Sequence, residues 1–323
     1  MSSNEFARLC ALLGDDFPEV DRQIRRCLQS HVPLINEVAD YIIGSGGKRL
    51  RPLTCLLAAR ASGYTGQQHV TVAATVEILH TATLLHDDVV DESRLRRGRA
   101  TVNAAWGNAT AVLSGDYLIS RAFQLIVDLK NRDVLEVMAN STCVISEGEV
   151  LQLISQRDPD VTEQRYMQVI HGKTAKLFEA AAEAGNVLGD QRWRQDMARY
   201  ARHLGAAFQI IDDVLDYFSS STTMGKNVGD DLAEGKPTLP LIQAMKVAAP
   251  EDARLIRHAI QTGGLEHLER IIHIVRDSGA ADYARAVAAR ESEMAIAALE
   301  QVPDSVYRQA MIDLAELGLH RTA

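Results

Sequence analysis

The sequence predicts an all-α fold, and three observations support this class. Long stretches are rich in Ala, Leu, Glu, Arg and Gln, which favour helices, and their apolar residues recur at i, i+3 and i+4. Aromatic residues make up only 5% of the chain, and no run of alternating β-branched residues indicates a strand. With 323 residues, 46% of them apolar, the chain can bury a large core, and no composition shift marks a linker. We therefore expect one domain, residues 1–323.

A few loop signals divide the predicted helices. Glycines mark a first loop at 44–47, and a basic segment at 96–99 marks a second. A third lies at 158–160, where Asp160 with Glu163 is expected to cap the next helix. The longest loop is predicted from 219 to 240, and a loop of that length in a helical domain is more often functional than structural. About four shorter helices should follow it.

Charge and cysteine content limit the class of protein. A net charge of -9 argues against a nucleic-acid surface. The four cysteines are scattered without metal or disulfide spacing, which is typical of a reducing cytoplasm. No signal-peptide pattern begins the chain, and no apolar run approaches the roughly 20 residues that a membrane span needs. We expect a cytoplasmic protein, with peripheral membrane contact left open.

An Asp-Asp-x-x-Asp motif occurs twice, and each copy closes an apolar, helix-patterned run. The first motif is Asp87, Asp88 and Asp91, and the second is Asp212, Asp213 and Asp216. On a helix, the three carboxylates of each motif project within an arc of roughly 100°. The C-terminal end of a helix is already partly negative, so each cluster requires a cation.

Oxygen ligands on two facing helices suit Mg2+, which bridges carboxylates to phosphate oxygens. The expected guest is therefore a diphosphate. A single motif is explained equally well as a solvated acidic face, but both copies here lie in apolar surroundings, where a solvated face would be polar.

Basic segments accompany both motifs. Residues 94–99 follow the first motif, while 225–231 and 235–238 follow the second. Upstream, residues 46–52 combine glycines with three cations, without the spacing of a Walker A loop. Guanidinium groups match phosphate oxygens with two parallel hydrogen bonds. The sequence thus predicts two anionic groups, one held through metal and one held directly by Lys and Arg.

Two further positions are candidates for phosphate contact. Lys173 and Thr174 lie on an intervening helix, although Lys176 or Arg165 could serve equally from the sequence alone. His80 lies two turns before the first motif on the same face. A lone histidine there is more often a core or capping residue than a ligand.

In these motifs the chain resembles the trans-prenyl diphosphate synthases, in their long-chain type. The matching residues, in order, are Gly47-Lys48-Arg49-x-Arg51-Pro52, His86-Asp87-Asp88-x-x-Asp91 with Arg96-Arg97-Gly98, Lys173-Thr174, Phe208-Gln209-x-x-Asp212-Asp213-x-x-Asp216 and Gly235-Lys236-x-Thr238. The resemblance covers nearly the whole chain. It implies a helical bundle around a deep central cavity, a homodimer, and elongation of farnesyl diphosphate by isopentenyl diphosphate to a product near C40 for a quinone side chain.

The resemblance also implies residue roles. Two to three Mg2+ would be bound by Asp87, Asp91, Asp212 and Asp216, with support from Asp88 and Asp213. The allylic diphosphate would be surrounded by Arg96, Lys173, Thr174, Gln209, Lys226 and Lys236. Isopentenyl diphosphate would bind to Lys48, Arg51, His80 and Arg97. The residues on which catalysis would depend are Asp87, Asp88, Asp91, Asp212, Asp213 and Lys173.

Small side chains one turn before the first motif predict a long product. Ala82 and Thr83 should lie just below the allylic head, where bulky aromatics shorten the product in the resembling family. Ordinary close helix packing explains these small residues equally well. Candidates for the tunnel floor are Phe123, Ile126 and Met138.

Three other functions are less well supported by the sequence. Class I terpene cyclases share the first motif, but their second motif mixes Asn, Ser and Glu, and the basic 46–52 turn has no use there. The pair His86-Asp87 suggests a metal-dependent phosphohydrolase, which gives no reason for a second motif. A non-catalytic subunit of a heteromeric synthase would have lost the aspartates, and both motifs are intact here.

Overall fold

A computed structural model describes residues 3–44, 46–218 and 228–319 of the protein. The first part of the chain forms α1 (Ser3–Leu12), α2 (Asp16–Cys27), α3 (Pro33–Ile43), α4 (Leu50–Ala61), α5 (Gln68–Val90), β1 (Leu95–Arg96), β2 (Arg99–Ala100), α6 (Val102–Trp106), α7 (Asn108–Asp128) and α8 (Arg132–Ser155). The second part forms α9 (Glu163–Ile170), a π-turn (His171–Ala175), α10 (Lys176–Asn186), a 3-10 turn (Gln191–Trp193), α11 (Arg194–Phe218), α12 (Asp230–Ala233), α13 (Leu239–Val247), α14 (Pro250–Thr262), α15 (Leu268–Asp277), α16 (Ala280–Ala298) and α17 (Val306–Leu319). The all-α prediction is confirmed.

Helix α5 is central because it is apolar around most of its circumference. Val72, Val76, Leu79 and Leu85 are all buried, although they do not share one face. The helix packs against α2, α4, α7 and α10. Its polar C-terminal turn carries the first motif, and the backbone N–H of Asp91 donates to the carbonyl of Asp87 at 2.8 Å.

Helix α11 carries the second motif and packs against α10 and α16. Asp213 and Asp216 lie within two turns of Phe218, the last residue described in this helix. Both aspartates are buried. The two motifs therefore approach each other from helices that share α10 as a neighbour.

The π-turn is clamped between two glycines on neighbouring helices. A Cβ atom on Gly148 of α8 would lie 2.5 Å from the backbone nitrogen of Lys173, and one on Gly205 of α11 would lie 2.7 Å from the Cα atom of Ala175. Both helices therefore approach the turn at backbone distance. Single π-turns of this kind occur frequently at functional sites.

Several local predictions can now be scored. Helix α3 ends at Ile43 and α4 begins at Leu50, as the glycine segment predicts. The 96–99 segment is a small antiparallel hairpin rather than an irregular loop. The Asp160 cap is wrong: the Thr162 side chain accepts from the backbone N–H of Arg165, while Asp160 is paired with Arg257.

Five helices, not four, follow the long predicted loop in the described residues, and α16 is as long as 19 residues. Residues 219–227 of that loop lie outside the described ranges, and α12 interrupts the rest. No helix in the described ranges is long and apolar enough to cross a membrane. The single-domain assignment stays a prediction.

Candidate active site

A cavity opens between the two motifs, with a volume of about 910 Å3 including the part open to solvent. We call it the acidic cavity, and its charged lining includes Asp87, Asp91, Asp213, Asp231, Lys173 and Lys236. Its lining thus contains both carboxylates and ammonium groups. The predicted meeting of both motifs at one site is therefore present.

Lysine ammonium groups lie beside two carboxylates of the first motif, Asp91 and Asp87. Lys236 Nζ lies 2.8 Å from Asp91 Oδ2, and Lys173 Nζ lies 3.5 Å from Asp87 Oδ2. Lys236 also pairs with Glu234. Burial lowers the pKa of the Lys236 ammonium, but Glu234 and then Asp91 outweigh that effect and raise the pKa above its usual value. The acids of this cavity thus hold counter-ions that a stronger cation could replace.

Asp213 is the member of the second motif that lines the cavity, and two neighbours orient its carboxylate. The Tyr166 hydroxyl donates to Oδ2 at 2.6 Å, and Gln209 Nε2 donates to Oδ1 at 2.7 Å. Gln209 in turn accepts from the Thr174 hydroxyl at 3.1 Å. Burial, followed by the nearby Asp231 charge, raises the pKa of Asp213 to about 8 despite these hydrogen bonds.

Glu149 of α8 provides a further carboxylate beside the first motif. Its Oε2 lies 2.6 Å from Lys173 Nζ, which is closer than Asp87 lies to the same ammonium group. Burial and then the Asp87 charge raise the pKa of Glu149 to about 7, even though Lys173 opposes the shift.

A second pocket adjoins the acidic cavity, and Leu84 and Arg96 line both. Its volume is about 570 Å3 including the part open to solvent. We call it the arginine pocket, and its charged lining is Arg49, Arg96, Arg97, Arg99, Glu77 and Asp88. Arginine therefore dominates this pocket, whereas lysine and aspartate dominate its neighbour.

Two of the arginines of this pocket are held by buried acids. Two nitrogens of Arg96 donate to Asp88 Oδ1, at 2.6 and 2.9 Å. Arg49 pairs with the buried Glu77 at 2.5 Å. The Arg97 guanidinium donates to the carbonyl of Gly46, which brings the hairpin onto the glycine turn.

Arg51 and His80 form a polar pair outside both linings. Their Nη1 and Nε2 atoms are 3.1 Å apart, and the guanidinium stacks on the Phe178 ring at 4.4 Å from its centroid. Arg51 Nε is buried without a hydrogen-bond partner. Burial lowers the pKa of Arg51 to about 10, with Glu77 and Asp212 opposing the shift. Burial, then Arg51, holds the pKa of His80 well below its usual value, so the imidazole is neutral.

The structure thus brings most of the predicted phosphate and metal residues together. The predicted residues that line the acidic cavity are Asp87, Asp91, Arg96, Lys173, Thr174, Gln209, Asp213 and Lys236, and Arg97 lines the arginine pocket. Lys173 is also separated from its alternatives, because Lys176 pairs with Glu179 and Arg165 is exposed. Lys226 lies outside the described residues.

Other predicted residues lie apart from these two linings. Asp216 is buried and accepts from the backbone N–H of Asp231 at 3.3 Å. Lys48 is exposed, while Asp212, Arg51 and His80 are half-buried. None of the proposed chain-length residues lines the acidic cavity or the arginine pocket as described: Ala82, Thr83, Phe123, Ile126 and Met138. Their roles stay predictions.

Sequence reasoning missed four acids and hydroxyls at the site. Asp231 lies well beyond the second motif in the sequence. Its only sequence signal was the pair Asp230-Asp231 after Gly229. No recognisable motif includes Glu149, Glu77 or Tyr166. Only chain folding brings them to Lys173, Arg49 and Asp213, respectively.

The residues of the acidic cavity fit a hard divalent cation such as Mg2+. Their acidic donors are the carboxylate oxygens of four aspartates, joined by neutral hydroxyl and amide oxygens, and oxygen ligands suit such a cation. The ammonium groups of Lys173 and Lys236 lie beside two of these aspartates, where positive charge is required. Across residues 3–44, 46–218 and 228–319, no three acidic, histidine or cysteine side chains lie close enough together to hold a metal ion as they stand. The predicted metal ligands therefore stay a prediction.

The fold and the site define an all-α protein in which an acidic cavity adjoins a pocket rich in arginine. Comparison with known proteins identifies the class. The sequence pattern described as polyprenyl synthetase matches residues 32–276. The chain is 53% identical over 315 residues to an all-trans-nonaprenyl-diphosphate synthase (geranyl-diphosphate specific) of Rhodobacter capsulatus, covering 97% of each chain. It is 51% identical over 316 residues to the octaprenyl diphosphate synthase of Escherichia coli K12, covering 96% of this chain and 97% of that one.

A solved structure agrees with this assignment. The polyprenyl synthase from Caulobacter crescentus CB15, complexed with calcium and isoprenyl diphosphate, superposes with a TM-score of 0.95, at 42% identity and over 98% of both chains. The protein therefore belongs to the polyprenyl synthetase family, the prenyltransferases of isoprenoid biosynthesis. Its fold is the all-α fold of the isoprenyl synthases.

The environment of His86 argues against a phosphohydrolase. Its Nε2 atom lies 3.2 Å from the carbonyl of Val112 and 3.4 Å from Asp116, both on α7. It does not line the acidic cavity. The His86-Asp87 pair therefore does not form a joint metal site here.

Proposed function

We propose that the protein elongates farnesyl diphosphate with successive isopentenyl diphosphates to give an all-trans polyprenyl diphosphate near C40. One observation carries this proposal: two anion pockets of different chemistry share a wall at Leu84 and Arg96. Head-to-tail condensation needs two diphosphates side by side, only one of which is to leave. The octaprenyl relative supports the product length.

The acidic cavity would hold the allylic diphosphate. In this proposal Asp87, Asp91, Asp212 and Asp216 hold Mg2+. Asp231 joins them because it lines the cavity together with Asp87 and Asp91. When bound, Mg2+ supplies the charge that stabilises the departing pyrophosphate. The side chains that would surround the diphosphate are Arg96, Lys173, Thr174, Gln209, Lys226 and Lys236.

The arginine pocket would hold isopentenyl diphosphate without metal. Arg97 lines it directly, and Arg51, whose buried Nε–H has no hydrogen-bond partner, interacts electrostatically with Glu77 of the lining. Lys48 and the neutral His80 complete the proposed set. Planar guanidinium groups bind diphosphate oxygens in pairs, which makes a metal unnecessary at this site.

The proposed reaction balances without a side-chain nucleophile. The allylic C–O bond breaks, and pyrophosphate leaves with the bonding electrons. The double bond of isopentenyl diphosphate then forms a C–C bond to the allylic carbon, and a proton is lost to the pyrophosphate. Apolar side chains in the acidic cavity, including Val161, Val169 and Ile170, would help to exclude water from the carbocation.

Product chromatography tests this function. The purified chain is incubated with Mg2+, farnesyl diphosphate and labelled isopentenyl diphosphate. We expect a linear product near C40 and one pyrophosphate released for each isopentenyl unit consumed. Cyclic hydrocarbons would indicate a terpene cyclase, orthophosphate release a hydrolase, and an inactive pure chain a non-catalytic subunit.

A C45 product from geranyl diphosphate is the second candidate. The observation that favours it is the relative at 53% identity, which carries that specificity. The same assay with geranyl and farnesyl diphosphates in competition separates the two. Preferential use of geranyl diphosphate with a C45 product would replace our assignment of starter and length.

Product length is proposed to depend on Ala82. This residue is fully buried on α5, five positions before Asp87. A tyrosine side chain at this position must therefore occupy space between the neighbouring side chains. We expect Ala82→Tyr to shorten the product towards C15 to C20 while the first condensation keeps its rate, and Met138→Ala to lengthen it. An unchanged product distribution in folded, active Ala82→Tyr would show that the tunnel does not pass this residue.

A homodimer through α7 and α8 is also proposed. Exposed apolar side chains follow one another along these helices: Leu113 and Val127 on α7, and Val150 and Ile154 on α8. Ile154 is 68% exposed and Leu113 67%. Large apolar side chains in such a stripe mark a protein interface. Light scattering should give twice the chain mass, and the paired variant Leu113→Glu with Val150→Glu should give the monomer.

A further inference from the structure

Glu149 has no role in the function described so far, yet it forms the shortest contact of Lys173. The Glu149 Oε2 to Lys173 Nζ distance is 2.6 Å, within the range of a charge-assisted hydrogen bond. Asp87 Oδ2 lies 3.5 Å from the same nitrogen, beyond that range. The ammonium group therefore belongs to Glu149, and Asp87 is only its neighbour.

The backbone places Glu149 at this position. Gly148 of α8 meets the π-turn so closely that an added Cβ would lie 2.6 Å from the carbonyl carbon of Gly172. The residue after Gly148 is consequently held beside Lys173. Farther along the chain, Gln152, Ser155 and Gln156 line the acidic cavity with neutral side chains.

We propose that Glu149 is a positioning residue for Lys173: it holds the ammonium group off Asp87, so that Asp87 can bind a metal-diphosphate while Lys173 stays within reach of the same diphosphate. This inference rests on the proposed function. Without the Glu149 carboxylate, Asp87 is the acid nearest to Lys173 Nζ. An ammonium group paired with Asp87 competes with the cation that the diphosphate brings.

Calorimetric binding of inorganic pyrophosphate in the presence of Mg2+ tests the inference independently of turnover. We expect Glu149→Gln to weaken pyrophosphate binding about tenfold, the scale of one hydrogen bond to a charged group. The matched control is Glu147→Gln, which removes the same charge from an exposed position of α8. The control should bind pyrophosphate as the wild type does.

A conservative variant separates positioning from charge. Glu149→Asp keeps the negative charge but shortens the side chain by one methylene group. If Glu149 positions Lys173, this variant also binds pyrophosphate several-fold more weakly than the wild type. Wild-type binding by Glu149→Asp, with weak binding by Glu149→Gln, would show that only the charge matters and would overturn the proposal.

A double-mutant cycle with Lys173→Met gives the decisive result. Lys173→Met alone should weaken pyrophosphate binding, and adding Glu149→Gln should change it less than about twofold further, because Glu149 acts through Lys173. An equal tenfold loss in both backgrounds would overturn the proposal. If the wild type fails to elongate farnesyl diphosphate, the proposed function fails, while the cycle still reports on the contact.

Discussion

The acidic cavity and the arginine pocket share a wall but balance their charges differently. In the acidic cavity, flexible lysines neutralise carboxylates one by one, as Lys236 does Asp91. In the arginine pocket, planar guanidinium groups are fixed by buried acids, as Arg49 is by Glu77. One site can exchange its counter-ions, and the other presents a permanent positive surface.

This difference has a physical origin in the two cations. The lysine ammonium is a compact charge on a flexible stem, so it can leave a carboxylate when a divalent ion arrives. Arginine stays charged and offers a rigid fork, which suits direct binding of a diphosphate. In our proposal, this difference allows the same ligand group to be bound through metal on one side of the shared wall and directly on the other.

The largest expected effect comes from removing a carboxylate of the acidic cavity. Asp87→Ala should lower kcat at least about 100-fold, which corresponds to roughly 2.7 kcal/mol of activation free energy. The reason is that the metal that stabilises charge in the transition state loses one of its ligands. The melting temperature should change little, since Lys173 keeps its partner Glu149. Steady-state rates and a melting curve measure both effects, with the exposed Asp128→Ala as control. A variant that keeps more than about a tenth of wild-type kcat at saturating Mg2+ contradicts the metal-ligand role.

A crossed pair of variants tests whether the two pockets bind different substrates. Arg51→Ala should raise KM for isopentenyl diphosphate about tenfold or more and leave KM for farnesyl diphosphate nearly unchanged. Lys173→Met should do the opposite. Initial rates with each substrate varied in turn provide the four constants. Equal effects on both substrates would replace two separate pockets by one shared electrostatic funnel, whose influence weakens with salt.

The smallest expected effect comes from His80, and it tests the electrostatics of the Arg51–His80 pair. Burial and Arg51 hold its folded-state pKa well below the value near 6.5 of an unfolded chain. As pH falls below about 6.5, the His80 imidazole is protonated in the unfolded chain but stays neutral in the folded chain. The free energy of unfolding therefore falls with pH until the folded-state pKa is reached. His80→Gln should therefore lose less melting temperature than the wild type between about pH 7.5 and pH 5.5.

Differential scanning calorimetry without Mg2+ or substrate measures this slope. The exposed His258→Gln is the control and should keep the wild-type slope. If His80→Gln shows the same slope as the wild type, the imidazole titrates normally and our description of the pair with Arg51 is wrong.

The sequence allowed the fold class and the residue types of the site to be predicted. Helical spacing and helix-forming composition indicated the bundle, and repeated aspartates indicated that two helix ends face one site. Asp87, Asp91, Lys173 and Lys236 were predicted and line the acidic cavity. Local chemistry suffices for the aspartates because their motif places like charges at the spacing of one helix face, whereas the resemblance was needed to select Lys173.

Only the tertiary structure decided which acids face the cavity and which partner each cation has. Asp231 lines the cavity while Asp216 bonds to the backbone, and Glu149 reaches Lys173 from 24 positions away in the sequence. The contact of Glu149 with Lys173 depends on backbones that meet at Gly148 and Gly172. Sequence periodicity determines the face of a helix on which a residue lies, whereas packing between distant helices determines what that face meets.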